Sequence, residues 1–122
     1  MRILAFDHVQ LAMPPGAEDS ARAFYAGVLG FAEVPKPAPL ASRGGVWFSA
    51  GPVHLHLGVE KDFRPARKAH PALQVEHLSE LIAKCEHAGC PVTHDGSLPE
   101  IRRVFIRDPF GNRIEFIERN PR

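Results

Sequence analysis

The architecture of this chain is predicted by two stretches, Ile-Leu-Ala-Phe-Asp-His-Val-Gln-Leu-Ala at residues 3–12 and Lys-Ala-His-Pro-Ala-Leu-Gln-Val at residues 68–75. The alternation of side chains along both stretches is typical of a half-buried β-strand. His8 and His70 stand at the same place in the two strands. Each strand is followed by apolar residues at helical spacing and then by a glycine that favours the end of a helix. We therefore expect one structural unit to occur twice in the chain.

The sequence that follows each of these two strands predicts the same order of elements in both halves of the chain: strand, helix, strand, loop, strand, turn and strand. A tight turn is expected at Asp108–Asn112, where proline follows aspartate and a glycine tolerates a positive φ. The remaining strands and loops are expected at these positions: strands at 31–34, 46–50, 53–59, 90–93, 102–107 and 113–118, and loops at 35–45 and 94–100.

The predicted fold class is α+β, with two βαβββ modules that span residues 1–59 and 68–118. A charged linker at 60–67 joins the modules into one domain over residues 1–122. Together they are expected to form a curved, mostly antiparallel sheet with the helices on its convex side. The polar tail at 119–122 is expected to be frayed.

The composition limits the function classes. Of the 122 residues, 44% are hydrophobic and 24% are charged, and the formal net charge is +1 with histidine counted as neutral. These values exclude a disordered tail and a coiled coil, and no basic stripe predicts nucleic-acid binding. No apolar stretch approaches the length of a membrane span, and the N-terminus lacks the apolar region of a signal peptide, so we expect a cytoplasmic protein. Cys85 and Cys90 do not make a disulfide scaffold and are expected to be reduced thiols.

The repeat predicts a group of candidate metal ligands. Each half contributes one polar residue from its first strand and one from its last, namely His8 and His54, then His70 and Glu115. Here His54 is aligned with Glu115. If the modules pair around a pseudo-twofold axis, the four side chains converge on one face of the sheet. Neutral imidazoles and a carboxylate suit one divalent ion such as Zn, Ni, Co, Fe or Mn. The alternative is a half-solvated sheet that carries ordinary polar residues.

Five motifs that together span nearly the whole chain suggest a family. They are Phe6–Leu11, Phe24-Tyr25 with Val28–Phe31, His54–Leu57, Lys68–His70 and Asp108–Glu115. On these motifs the chain resembles the vicinal oxygen chelate superfamily, also called glyoxalase/bleomycin-resistance/extradiol-dioxygenase proteins.

The resemblance implies a metal-dependent enzyme of glyoxalase-like type. It places His8, His70 and Glu115 on metal-ligand positions, and His54 where glyoxalase I has a second glutamate. The expected isomerase- or lyase-type chemistry chelates vicinal oxygens of a small substrate and stabilises an enediolate-like intermediate, with Glu115 as general base. The resemblance also implies a homodimer, with a site that paired modules of two chains can share.

Further residues are open to more than one interpretation. His56, on the same face as His54, is a catalytic candidate that acts as a ligand, a substrate contact or a proton shuttle, or else it is a polar wall residue. The substrate-binding candidates are Gln10, Trp47, Arg103 and Phe105, although a salt bridge explains Arg103 equally well. The alternative function is a non-catalytic, drug-sequestering module whose aromatic groove would be lined by Trp47, Phe48, Phe63 and Phe105. The loops at 35–45, 60–67 and 94–100 are expected to determine which small molecule binds.

Overall fold

A computed structural model of the chain describes residues 1–119. Two compact units divide the chain, one at Met1–Phe63 and the other from Arg64 onward. Each unit has one four-stranded sheet and follows the order βαβββ, so the α+β class and the repeated module are confirmed. The strands are β1 (Val9–Met13), β2 (Ala32–Val34), β3 (Val46–Ala50), β4 (Val53–Val59), β5 (Ala72–Gln74), β6 (Val92–Asp95), β7 (Ile101–Arg107) and β8 (Arg113–Arg119).

Within residues 1–119, three α-helices and one π-helix accompany these strands. The first, α1 (Glu18–Arg22), continues directly as a π-helix at Ala23–Val28, and α3 (Leu78–His87) is the helix of the second unit. A one-turn helix, α2 (Ala38–Ala41), lies inside the segment predicted as a loop. No helix among residues 1–119 has the length and apolar character that crossing a membrane requires.

In the first unit the strand order is β1-β4-β3-β2, with β1 parallel to β4 and the other two pairings antiparallel. One face of this sheet forms the core, because Phe48 of β3 is fully buried and stacks on Tyr25 with ring centroids 5.4 Å apart. Leu55 and Leu57 of β4 are buried beside them. The alternation along β3 and β4 therefore directs one set of side chains into the core and the other set away from it.

The second unit repeats this arrangement, with strand order β5-β8-β7-β6 and β5 parallel to β8. Its core is formed by α3 and by alternate residues of β7 and β8, including Val104, Ile106, Ile114 and Phe116. The mostly antiparallel character of the predicted sheet is thus found in each of the two units.

The turn between β7 and β8 is built around a buried aspartate. Asp108 Oδ1 accepts hydrogen bonds from the backbone N–H groups of Phe110 and Asn112, and Oδ2 accepts one from the Asn112 side chain. Gly111 has φ +91°, which glycine adopts without strain. The predicted tight turn at Asp108–Asn112 is confirmed, and it fixes the register in which β8 presents its side chains.

Some boundaries differ from the prediction. The first strand was expected at 3–12, but β1 begins at Val9, and the preceding residues Ile3, Leu4 and Phe6 are 84%, 82% and 92% exposed. The second repeat strand is shorter than 68–75, and β6 extends to Asp95, into the predicted loop 94–100. Of the expected frayed tail, Arg119 ends β8, and residues 120–122 lie outside the described part of the chain.

Candidate functional site

Glu115 is the centre of the polar cluster in the second unit. It lies on β8, is only 5% exposed, and is bordered by β5 on one side and by β7 on the other. Its Oε1 lies 2.9 Å from Nε2 of His70, and its Oε2 accepts a hydrogen bond of 3.3 Å from the Arg103 guanidinium. A buried carboxylate requires such partners, because burial without them is costly. Of the predicted site residues, the structure therefore brings His70, Arg103 and Glu115 together.

His70 faces a hydrogen-bond acceptor with each of its two ring nitrogens. Nδ1 lies 2.7 Å from the backbone carbonyl oxygen of Lys68, which can only accept, and Nε2 faces the Glu115 carboxylate. A neutral imidazole has one N–H, which the Lys68 carbonyl requires, so Nε2 then directs its lone pair at the carboxylate. The His70–Glu115 contact is favourable only with a further positive charge between the two groups, either a proton on Nε2 or a metal cation.

Arg103 connects Glu115 to the β6–β7 hairpin. Its guanidinium donates to Asp95 Oδ2 at 3.0 Å and to Ser97 Oγ at 3.1 Å, in addition to Glu115. The pKa of Asp95 is lowered mainly by hydrogen bonds from the side chain and backbone of Ser97. The positive charge of Arg103 lowers it further. Within the described residues, Nε of Arg103 is buried and has no hydrogen-bond partner. Sequence analysis missed Asp95, which the pairing of β6 with β7 places opposite Arg103, and Ser97, which lies two residues beyond it.

Phe105 forms the wall of this cluster. Its ring meets the His70 ring edge-on, with centroids 5.3 Å apart, and the guanidinium of Arg113 lies 4.0 Å from its centroid. Arg113 was not predicted as a site residue. It follows the turn at Asp108–Asn112 and lies two residues before Glu115, on the same side of β8.

A cavity of about 320 Å³ opens at the β6–β7 hairpin beside Arg103. The expected substrate-determining loop at 94–100 supplies much of its wall. Asp95 and Arg103 line it together, so their ion pair stands at the border between the cavity and the Glu115 cluster.

The polar face of the first unit carries a stack of three rings. His56 of β4 lies against Trp47 of β3 with centroids 3.8 Å apart and an interplanar angle of 4°. His8 stacks on the other side of His56 at 4.2 Å and 18°, and its Nδ1 lies 2.9 Å from Asp7. His56 is 7% exposed, and this burial is the main cause that lowers the pKa of its imidazole. The nearby imidazoles of His8 and His54 lower it further. The neutral imidazole is therefore favoured at His56.

The other two predicted residues of this face lie outside the stack. His54 is exposed and pairs with Ser49 across the β3–β4 ladder. The Gln10 side chain lies directly over Gly58, where a Cβ would come within 2.5 Å of its amide nitrogen. Phe48 is buried in the core, so its predicted place in an aromatic groove is wrong.

Strand register identifies the true counterpart of Glu115 in the first unit. Gln10, two residues after His8, pairs with His56 on the neighbouring strand. In the same way Ala72, two residues after His70, pairs with Glu115. The register of β3 agrees, because Trp47 pairs with His56 as Phe105 pairs with Glu115. The predicted alignment of His54 with Glu115 is therefore wrong by two residues, and His56 occupies the equivalent position.

The candidate ligands occur as two separate groups in the described chain. His70 and Glu115 meet in the second unit, while His8 and His56 meet in the first. Among residues 1–119, no three side chains of His, Cys, Asp and Glu are grouped so as to hold a metal ion. The chemistry of His70 and Glu115 nevertheless fits a borderline divalent cation, since an imidazole lone pair and a carboxylate oxygen face each other and Lys68 fixes the imidazole tautomer.

Comparisons with known proteins agree with this fold. The family model for the Glyoxalase/Bleomycin resistance protein/Dioxygenase superfamily matches residues 5–116. A glyoxalase family protein from Bacillus anthracis is 45% identical, with 98% of each chain covered and a TM-score of 0.94. A fosfomycin resistance protein from Listeria monocytogenes shares the fold at 13% identity, TM-score 0.78, over 96% of this chain and 94% of that one. An antibiotic binding protein from Streptomyces sp. does so at 20% identity, TM-score 0.72, over 97% and 100%. No curated protein matches the chain.

Proposed function

Because the chain belongs to the Glyoxalase/Bleomycin resistance protein/Dioxygenase superfamily, we propose that it is a metal-dependent enzyme of glyoxalase-like type. The substrate is a small molecule with two neighbouring oxygen atoms, and the cofactor is one divalent ion, Zn, Ni, Co, Fe or Mn. When bound, the ion supplies Lewis-acid chemistry that polarises both oxygens and favours an enediolate-like charge distribution.

The contact between His70 and Glu115 is the observation that carries this proposal. Lys68 accepts from Nδ1 of His70, so the Nε2 lone pair and the Glu115 carboxylate form a two-ligand set for a cation. Arg103 binds the other oxygen of Glu115 and fixes the carboxylate orientation. We assign Glu115 as the general base, which takes a proton from the carbon next to the substrate oxygens, and Arg103 as a positioning residue.

In the first unit, His8 and a histidine of β4 are the further candidate ligands. Strand register favours His56 over His54 for this role, because His56 holds the position that Glu115 holds in the second unit. Gln10, Trp47 and Phe105 are assigned to substrate binding, where aromatic faces and an amide provide orientation.

Metal analysis of the chelator-treated protein, reloaded with each ion in turn, tests the proposal. We expect about one ion per chain, and His70→Ala and Glu115→Gln are expected to weaken metal binding by about tenfold or more. His87→Ala, an exposed histidine at the end of α3, is the matched control and should retain the ion. His8→Ala, His54→Ala and His56→Ala compare the three candidate imidazoles of the first unit. Binding of less than about a tenth of an equivalent of every ion would contradict the metal-dependent function.

A second function, a non-catalytic small-molecule binding module, is favoured by the Trp47–His56–His8 stack. Trp47 is partly exposed on β3 and offers a broad aromatic surface, which suits a flat ligand. Quenching of the fluorescence of Trp47, the single tryptophan, by planar ligands separates the functions. Ligand binding that survives His70→Ala without metal favours the module, whereas binding that requires the ion favours the enzyme.

We also propose that the protein is a homodimer in the cytoplasm. Ile3, Leu4 and Phe6 expose large apolar side chains, and their alternation suits addition as a strand to the sheet edge of a second copy. Sedimentation analysis should give twice the chain mass. Phe6→Glu should shift the protein toward the monomer, while Arg2→Glu, an exposed residue of the same segment, should not. An unchanged mass for Phe6→Glu would exclude this segment from the interface.

A further inference from the structure

The C-terminus of α3 closes with a specific hydrogen-bonded cap. The backbone N–H of Cys90 donates to the carbonyl oxygen of Cys85 at 2.8 Å, and that of Gly89 donates to Glu86 at 3.1 Å. Gly89 has φ +78°, in the left-handed region. These two bonds and the positive φ define a Schellman motif, in which the residue three positions inside the helix end is folded back against the residue just beyond the cap.

The two closing positions of this motif are both cysteines. Side chains at these positions are commonly in contact, because the 6→1 hydrogen bond brings their backbones side by side. Cys85 is fully buried and Cys90 is partly exposed, and both are free thiols. Burial raises the pKa of Cys85 to about 11, and the proximity of Cys90 and Glu86 contributes to this shift.

We propose that Cys85 and Cys90 are a redox modification site, which forms a reversible intramolecular disulfide when the protein reacts with a hydroperoxide. This site is separate from the proposed metal chemistry and does not depend on it. The bridge would join the last turn of α3 to the segment that leads into β6.

Atoms and electrons balance in two steps. The Cys90 thiolate attacks the terminal peroxide oxygen, the O–O bond breaks, and Cys90 becomes a sulfenic acid while water or an alcohol leaves. The sulfur of Cys85 then attacks the Cys90 sulfur, an S–S bond forms, and the hydroxyl leaves as water with the Cys85 proton. Together the two thiols lose two electrons and two protons, and one hydroperoxide is reduced. A thiol reductant reverses the bridge by exchange.

Burial sets the order of the two cysteines. Cys90 is the residue that solvent reaches, so it meets the oxidant first. Cys85 is fully buried and stays protonated near neutral pH because of its raised pKa, so it is protected from direct oxidation. Its position across the cap, where the Cys90 N–H donates to its carbonyl oxygen, makes it the resolving thiol, which reacts second, once its proton is lost to solvent during opening of the helix end.

The test treats the full-length protein with hydrogen peroxide, alkylates it under denaturing conditions and digests it with trypsin. Cleavage after Lys84 and Arg102 leaves both cysteines in one peptide, residues 85–102. We expect this peptide to escape alkylation and to be lighter than the reduced form by the mass of two hydrogen atoms. Treatment with a thiol reductant before alkylation should restore two alkylated cysteines.

Two variants complete the test. Cys90→Ser, at a partly exposed position, should leave Cys85 reduced and alkylated after the same peroxide treatment. Gly89→Ala disfavours the positive φ of the cap and should slow formation of the bridge several-fold, while Gly96→Ala, in the nearby hairpin, should not. The proposal is overturned if the wild-type peptide remains fully alkylatable, or if the main product is a sulfinic acid on Cys90 or a cross-link between two chains.

Discussion

The two units place different chemistry at the same position of the same topology. In the first unit, His56 lies between Trp47 and His8 as a buried ring whose pKa is lowered. In the second, Glu115 lies between His70, whose Nε2 faces one carboxylate oxygen, and Arg103, which donates a hydrogen bond to the other. Strand register makes these two residues equivalent. The repeat therefore fixes where a side chain stands, while the residue type at that position and its neighbours on the adjacent strands set the chemistry there.

This difference has an energetic consequence. When one ring is removed from a stack, the neighbouring rings lose buried contact area and the dispersion attraction to that ring. An ion network loses more, because removal of one member leaves the other charges partly buried with fewer partners. The second unit should therefore be the more sensitive of the two to a single substitution on its polar face.

Replacement of Glu115 gives the largest expected effect. Glu115→Ala removes one of the two carboxylate partners of Arg103, which keeps Asp95, and removes the carboxylate that faces His70. Both side chains are about four-fifths buried, so the free energy of unfolding should fall by about 3 kcal/mol. His56→Ala should cost about 1.5 kcal/mol, and exposed His54→Ala less than about 0.5 kcal/mol. Urea denaturation of the metal-free variants measures all three. Equal losses for Glu115→Ala and His56→Ala would show that the two positions do not differ in this way.

The hairpin turns allow a second comparison of the units. The β7–β8 turn depends on Asp108, whose carboxylate accepts three hydrogen bonds while 5% exposed, so Asp108→Ala should cost about 2 kcal/mol. The β3–β4 turn depends on Gly51, where φ is +56° and a Cβ would meet nothing within 4 Å, so Gly51→Ala should cost about 1 kcal/mol from backbone strain alone. Thermal unfolding should rank them in this order. The reverse ranking would mean that backbone strain outweighs the buried carboxylate.

Sequence alone predicted the elements whose register depends on local alternation. The strands at 46–50 and 53–59 are confirmed to the residue, because each buries one face in its own unit. The first strand was predicted too long, since alternation continues to Ile3 although pairing with β4 begins only at Val9. The short helix at Ala38–Ala41 was missed because its segment contains three prolines and has no apolar residues at helical spacing.

The candidate site was predictable in its residues and less so in its connections. The repeat predicted that His70 and Glu115 belong together, and they meet at 2.9 Å. The Lys68 carbonyl that orients His70 is a backbone group, which has no signal in the sequence. The misalignment of His54 arose because the two hairpins have turns of different length, so counting along the chain gave a wrong register that only strand pairing corrects.

A smaller effect is expected from the ring contacts themselves. Double-mutant cycles with Trp47→Leu and His56→Ala should give a coupling energy of about 1 kcal/mol for the stack in the first unit. A cycle on the ring contact of the second unit, with Phe105→Leu and Arg113→Ala, should give about 0.5 kcal/mol, because the Arg113 guanidinium remains partly hydrated over the ring. Chemical denaturation provides both values. A larger coupling in the second unit would mean that its polar face is held by the cation–π contact as well as by ion pairs.

Acidification should give the smallest change in stability, and it tests selectively how the first unit differs from the second at the position of His56. Because the pKa of His56 is lowered in the folded chain, the unfolded chain binds a proton at this residue first as the pH falls below about 6.5. His56 therefore contributes stability above that pH, and the contribution is lost as the pH falls toward the folded value. In chelator-treated protein, His56→Phe keeps a ring in the stack and should lose less stability than the wild type between about pH 7.5 and pH 5. His54→Gln, at an exposed position of the same strand, should follow the wild type. Equal slopes of the free energy of unfolding against pH for wild type and His56→Phe would indicate that the imidazole in the stack is not kept neutral by its burial. The two units would then differ in the shape of the side chain at this position and not in its charge.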